Sequence, residues 1–306
     1  MNFYELISTD KVTVRQLVDE IKKQYVSYPI NKSNGKVRWL DAPNQELKDI
    51  QKNLLQKVLY TFPVHPAATG FVTGMSVKDG AKAHFGNKVL LTLDISNFFN
   101  SIKTPHMYKL AHHILMRMEH MRCIDSLENK SSVLKDFVSL VIYKGHLPQG
   151  APTSPTLANL YCRELDKKLD SIASTNKLIY TRYADDMTFS HAEKRFDIGL
   201  LIPNIAKVVE SYDLKINYKK VHIMRPHRRM KVTGIVINDK LSIPKFKYKN
   251  FRAKLHNLVK AGKEITIEEY QQLRGYAEWV RSLNPKKGNI FIEEIGKLTP
   301  PLLFQS

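Results

Sequence analysis

The sequence predicts an α+β fold, an antiparallel sheet with packed helices followed by a small helical lobe. Three observations predict it. Lys88-Val-Leu-Leu-Thr-Leu93 is a near-continuous apolar run ending in Asp94, fit for a strand buried on both faces. Leu178–Tyr183 and Met187–Ser190 are β-prone runs parted by Ala184, Asp185 and Asp186, which reads as a hairpin. Apolar residues recur at helical spacing through Gln45–Tyr60, through His106–Met121 and again beyond Phe251.

The chain of 306 residues is long enough for two or three lobes with their own cores. Lys and Arg number 48 against 29 Asp and Glu, a formal charge of +19 that favours a polyanionic partner. No apolar run approaches ~20 residues, which argues against a membrane span. The first residues lack the basic-then-apolar layout of a signal peptide. Two cysteines, Cys123 and Cys162, make neither a disulfide framework nor a zinc site, and the expected compartment is the cytoplasm.

Taken in order, Thr13-Val-Arg-Gln16 has the form of a capping box, predicting an amphipathic helix through Ile21. Residues 25–33 read as a polar connection, Gly35–Leu40 as a half-exposed strand, and Asp41-Ala-Pro-Asn44 as a turn. The helix over Gln45–Tyr60 carries Leu47, Ile50, Leu54, Leu55, Val58 and Leu59 on one side. Residues 67–86 are rich in small side chains and include His84, more at home packed than reactive. The buried strand ending at Asp94 leads into Ile95-Ser96-Asn97-Phe98-Phe99. His106–Met121 places Met107, Leu110, Ile114, Leu115 and Met118 as a core stripe rather than a ligand set. Residues 126–132 read as a loop, Val133–Tyr143 as a helix, Gly145–Gly150 as a bent loop, and 154–169 as one helix. After the hairpin, Leu200–Tyr212 is amphipathic, and Arg225–Lys231 is a basic cluster. Phe251, Leu255, Leu258 and Val259 form a helix stopped by Gly262. Thr266-Ile-Glu-Glu269 caps a second, which Leu273, Ala277, Val280 and Leu283 continue.

The acidic positions carry the chemistry. Adjacent carboxylates on a tight turn between apolar strands are costly unless a cation lies between them. A solvated hairpin turn is the ordinary alternative for one Asp-Asp pair. A third carboxylate at the end of a buried strand beside that hairpin would complete a two-metal site, holding metals ~3.5–4 Å apart for phosphoryl displacement.

Three motifs then agree in order and spacing. Leu93-Asp94-Ile95-Ser96-Asn97-Phe98-Phe99, Leu147-Pro148-Gln149-Gly150-Ala151-Pro152-Thr153-Ser154-Pro155 and Tyr183-Ala184-Asp185-Asp186 together resemble reverse transcriptases, the bacterial retron branch above all. The likeness runs from about Val37 to about Leu258. Val232-Thr233-Gly234 is a retron hallmark, and Ser154-Pro155 differs from diversity-generating elements. Retron enzymes usually carry Asn-Ala-x-x-His where this chain has Gly80-Ala81-Lys82-Ala83-His84, so the Asn is missing.

The resemblance implies a right-hand polymerase. Its fingers would comprise residues 1–87 and part of 105–145, its palm 88–104 and 146–238, and its helical thumb 239–306. Asp94, Asp185 and Asp186 would be catalytic, and with Ile95 would hold two Mg²⁺. Lys36 and Arg38 would meet the triphosphate of an incoming dNTP, although solvated strand charges are the plain alternative. Phe99 would be the steric gate against a 2′-OH, where core packing is the usual fate of a Phe pair, and Gln149 would touch nucleotide or template. Lys220 would protonate the leaving pyrophosphate, with Lys219 as rival. Arg228, Arg229, Lys231, Lys245, Lys247, Lys249 and Arg252 are candidates to track nucleic acid, interleaved with Phe246, Tyr248 and Phe251; a solvated helix face is the alternative. The partners implied are a cognate structured noncoding RNA, its branched RNA-linked DNA product (msDNA), dNTPs and a separate effector protein in antiphage defence, with no membrane and a possible higher-order complex. Another bacterial reverse transcriptase, or an RNA-binding protein that kept the fold without catalysis, remain the competing readings.

Overall fold

The computed structural model describes residues 1–31, 35, 37–125, 129–262 and 265–298. The chain opens with α1 (Phe3–Leu6) and α2 (Lys11–Asp19). The cap of α2 is Asp10, whose carboxylate accepts from the Thr13 N–H, so the helix begins before the expected box at Thr13. An aspartate one turn earlier meets the free N–H groups first. A short 3₁₀ turn over Ile21–Gln24 leads into β1 (Tyr25–Asn31), which pairs antiparallel with β2 (Val37–Pro43). The polar connection expected at 25–33 is therefore a strand as far as Asn31. Its partner supplies the ladder that its own polar composition did not advertise. Asp41 to Pro43 likewise extend β2 instead of turning, and Asn44 caps α3 (Gln45–Lys57).

After α4 (Val77–Ala83) come β3 (Val89–Asp94), α5 (Phe98–Ser101), α6 (Thr104–His120) and α7 (Lys130–Val141). The single helix expected over 154–169 is two, α8 (Ser154–Tyr161) and α9 (Arg163–Thr175), meeting at buried Cys162. Then follow β4 (Ile179–Tyr183), β5 (Asp186–His191), α10 (Ile202–Glu210), β6 (His222–Met224) and the small hairpin β7 (Lys231–Val232) and β8 (Ile235–Val236). The chain closes with α11 (Lys245–Ala261), α12 (Ile267–Leu283) and α13 (Pro285–Gly296). Gly262 stops α11 in the left-handed region at φ 55°, and Thr266 caps α12 with Glu269, as expected. No sequence signal had marked α13.

The central sheet has the order β4-β5-β3-β6, antiparallel throughout. Its core strand β3 buries Val89, Leu91 and Leu93 on one face, and α6, α7, α8 and α9 contribute to the same core. A second core lies within α11, α12 and α13, around Leu255, Leu273, Ala277, Val280, Phe291 and Ile295. A small cluster around Leu90, Met230, Val232 and Ile235 reaches Trp279 and Leu283 of α12. Among the described residues, no helix is long and apolar enough to cross a membrane.

Candidate active site

The end of β3 and the start of β5 define the site. Antiparallel register pairs Asp94 directly with Asp186 and Leu93 with Met187. Cross-strand partners lie on one face, so the two carboxylates leave the same edge of the sheet. Asp185 occupies the turn before β5, and its carbonyl accepts from the Ile95 N–H at 2.9 Å. That main-chain bond holds the turn against the end of β3. Ile95 itself is buried, so only its backbone reaches the site.

The turn is bent by Ala184, whose φ of 54° is unusual for a residue with a side chain. It is held from below and from the side. Arg182 Nη1 donates to the Ala184 carbonyl at 3.1 Å. Gly70 packs so closely that a Cβ there would stand 2.9 Å from the Ala184 nitrogen. Asn159 holds that loop by donating to the Gly70 carbonyl at 2.8 Å.

Electrostatically the site wants a cation. Burial, then the charge of Asp94, raises the Asp185 carboxyl above its ordinary value. Burial, then Asp185 and Asp94, pushes Asp186 up to about 6, even though its side chain opens on the cleft. Asp94 has found a cation already: Lys220 Nζ lies 2.6 Å from its Oδ1, and this hydrogen bond raises the lysine in turn. The Asn217 N–H donates to the Asp94 carbonyl at 2.7 Å. A cleft of about 500 Å³ opens beside Asp94, Asp185, Asp186, Lys220 and Lys231. Among the described residues no group of three His, Cys, Asp or Glu side chains is arranged to hold a metal ion as it stands. The donor chemistry nonetheless fits one. These are hard oxygen ligands with crowded negative charge, and an ammonium already stands on one of them.

The other expected residues fall around this cleft in different ways. Lys36 lies outside the described residues. Arg38 is exposed on β2, and its charge favours ionised Asp185. Phe99 is half-buried against Phe98, ring centroids 5.4 Å apart. The Gln149 loop is strapped to β2, because its carbonyl accepts from the Asp41 N–H at 2.7 Å. Gly150, at φ 129°, is required there, since a Cβ would stand 2.9 Å from the Asp41 carbonyl oxygen. Lys219 is exposed and without the Asp94 contact that Lys220 makes. Arg228, Arg229 and Lys245 line a separate cavity of about 400 Å³, whereas Lys231 lines the acidic cleft. Lys247, Lys249 and Arg252 are exposed on α11. Of the interleaved rings, Phe246 faces solvent, while Tyr248 and Phe251 pack against Phe291.

His84 is fully buried. Its ring bonds Ser190 Oγ at 2.6 Å and Thr181 Oγ1 at 2.8 Å, and burial lowers its pKa to about 3. It clamps β4 to β5 behind the carboxylates. Where the Asn is missing, a Cβ at Gly80 would stand 2.9 Å from Thr69 Oγ1, so glycine fits this chain's packing.

Sequence reasoning missed the support beneath the turn. Asp166, Asn159 and Arg182 are buried together, and the signal was an arginine inside a β-prone run.

The family model described as reverse transcriptase (RNA-dependent DNA polymerase) matches residues 30–237. The retron Ec86 reverse transcriptase of Escherichia coli is 33% identical over 289 residues, covering 94% of this chain and 85% of that protein. The chain belongs to the retron reverse transcriptases. The retron Mx162 reverse transcriptase of Myxococcus xanthus is 32% identical over 294 residues; 90% of this chain covers 61% of it, about three fifths of that relative's length. The retron Ec83 reverse transcriptase of Escherichia coli is 30% identical over 284 residues, covering 89% and 86%. Among solved structures, apo telomerase from Candida tropicalis covers 94% of this chain and 63% of that one, at 10% identity and a TM-score of 0.49.

Proposed function

We propose that this retron reverse transcriptase polymerises DNA on an RNA template at Asp94, Asp185 and Asp186. The observation that carries the reading is the register that pairs Asp94 with Asp186 while Ile95 holds the Asp185 carbonyl. The primer hydroxyl oxygen attacks the α-phosphorus of a dNTP, the bond to pyrophosphate breaks, and the hydroxyl proton leaves to solvent. The three carboxylates and the Ile95 main chain would hold two Mg²⁺, which would supply charge neutralisation and a more acidic hydroxyl. Positioning supplies much of the remaining acceleration.

The side chains take up the rest of the work. Lys220 gives its proton to the departing pyrophosphate. Arg38, with Lys36, meets the triphosphate. Phe99 walls off a 2′-OH, and Gln149 contacts the nucleotide or its template base. Arg228, Arg229, Lys231, Lys245, Lys247, Lys249 and Arg252 follow nucleic-acid backbone, as their exposure and the net charge of +19 suggest. The fingers are residues 1–87 with part of 105–145, the palm 88–104 and 146–238, and the thumb 239–306; the core within α11, α12 and α13 supports reading the last as a helical lobe.

The substrate is a cognate structured noncoding RNA, part of which is copied from a primer 2′-OH into branched msDNA. The complex serves antiphage defence with a separate effector protein. The test is coexpression with the native flanking DNA. Nucleic acid that co-purifies should contain a discrete single-stranded DNA, shifted by RNase or debranching treatment and missing from Asp185→Asn. RNA without such DNA, from a chain that still extends an added primer, would remove the msDNA reading.

A further inference from the structure

Behind the carboxylates the sheet carries a polar row that the proposed chemistry does not use. Register aligns Thr181, Thr188, Thr92 and His222 directly across β4, β5, β3 and β6. Thr92 and Thr188 lie two positions behind Asp94 and Asp186, hence on the same face and about 6.6 Å along the strands. The outermost member, Thr181, is spoken for, since its hydroxyl bonds His84. The other three line the acidic cleft together with Lys231, Thr233 and Gly234. Among the described residues, the hydroxyls of Thr92 and Thr188 and the ring of His222 have no side-chain hydrogen-bond partner. Thr188 is 3% exposed as a residue, and it lines the cleft with Thr92 and His222, so its hydroxyl is free to bond a ligand there.

We propose that Thr188, Thr92 and His222 form a subsite for the ribose of the priming nucleotide, which reads its second oxygen. The inference rests on the polymerase reading above. A ribonucleotide offers two vicinal oxygens. With the attacking hydroxyl beside Asp94 and Asp186, the sugar lies over the cleft, and its neighbouring oxygen meets the polar row. In a branch that neighbour is the 3′-phosphodiester, which His222 and Lys231 can also engage; at an RNA end it is a free hydroxyl. After the first addition the terminus is a deoxyribose with no second oxygen. The subsite therefore favours initiation on RNA over continued elongation. Sites built to bond a hydroxyl discriminate well against the analogue that lacks it.

The test compares two primers of one sequence on one RNA template, ending in a ribonucleotide or a 2′-deoxynucleotide. The readout is the ratio of kcat/KM for adding the first dNTP. The natural chain should prefer the ribonucleotide end. Thr188→Val, which keeps the shape and removes the hydroxyl, should lower that ratio roughly fivefold or more, and His222→Ala should move it the same way. Equal losses on both primers, as misfolding would give, overturn the proposal, as does an unchanged ratio. A natural chain that extends neither primer overturns the polymerase reading and the subsite with it.

Discussion

Arg182 and Asp166 form a fully buried, two-point ion pair beneath the turn that carries Asp185. Arg182 Nε donates to Asp166 Oδ1 at 2.7 Å and Nη2 to Oδ2 at 2.6 Å. Nη1 divides between Asn159 Oδ1 and the Ala184 carbonyl, both at 3.1 Å. The Tyr180 hydroxyl adds a bond to Asp166 Oδ1 at 2.8 Å. Each charge is met by fixed partners, which is the condition under which a buried pair is tolerated. The pair thus spends its geometry on holding Ala184 in the left-handed region, and through it the carboxylate beside it.

Breaking the pair from one side strands the guanidinium. Asp166→Ala should cost about 3–5 kcal/mol of stability. Urea unfolding measures it, and a loss well under about 1 kcal/mol would show that the pair is not supporting the hairpin.

The crowded carboxylates make metal-free stability depend on pH in a set direction. Folding raises Asp186 to about 6, so between roughly pH 4 and 6 the folded chain keeps a proton that the unfolded chain releases. This contribution to stability is therefore lost as pH rises through that window. Asp186→Asn removes it. In EDTA the variant should melt above the natural chain near pH 7.5, with the advantage shrinking toward pH 4. Added Mg²⁺ near pH 7.5 should raise the natural chain's Tm more than the variant's. Melting curves at the two pH values decide it; a variant that melts lower at pH 7.5 in EDTA would contradict the sign.

Lys220 and Lys219 are adjacent in sequence but differ in contact. Only Lys220 reaches Asp94. Lys220→Ala should lower the single-turnover rate of incorporation by about 10² and remove the alkaline limb of its pH profile, whereas Lys219→Ala leaves both near the natural values. Equal effects from the two substitutions would reassign the proton donor.

Gly80 stands where the Asn is missing. Gly80→Ala pushes a methyl group against Thr69 and should destabilise by about 1–3 kcal/mol. Gly80→Ala combined with Thr69→Ala should recover part of that loss, a coupling that a double-mutant cycle reads directly. Additive effects would place the strain elsewhere.

Much of this was legible in the chain itself, for physical reasons. Leu90 to Leu93 had to be buried on both faces, and the Asp94 that ends the run had to sit at the strand's edge. The Asp-Asp hairpin announced itself by β-prone runs on either side. Capping at Thr266 and stopping at Gly262 are local effects that need no tertiary partner. Tertiary contacts decided what the sequence hid. Tyr25–Asn31 is a strand only because β2 pairs with it. The helix expected over 154–169 divides at Cys162, where no Gly or Pro marks a break. Nothing local to the strand marks Arg182 as buried; its partner Asp166 comes from α9 and meets it in the core. The free hydroxyl of Thr188 is likewise a property of register, which one strand alone does not specify.

Asp94, Asp185 and Asp186 are the proposed machinery of DNA synthesis on RNA. Incorporation of labelled dNTP into a primed RNA template, with and without Mg²⁺, tests it most directly in the natural chain and in Asp185→Asn. Mg²⁺-dependent extension by the natural chain is expected. The variant should show none, yet still bind the template. Equal extension by both, or binding without extension by the natural chain, would contradict the proposal.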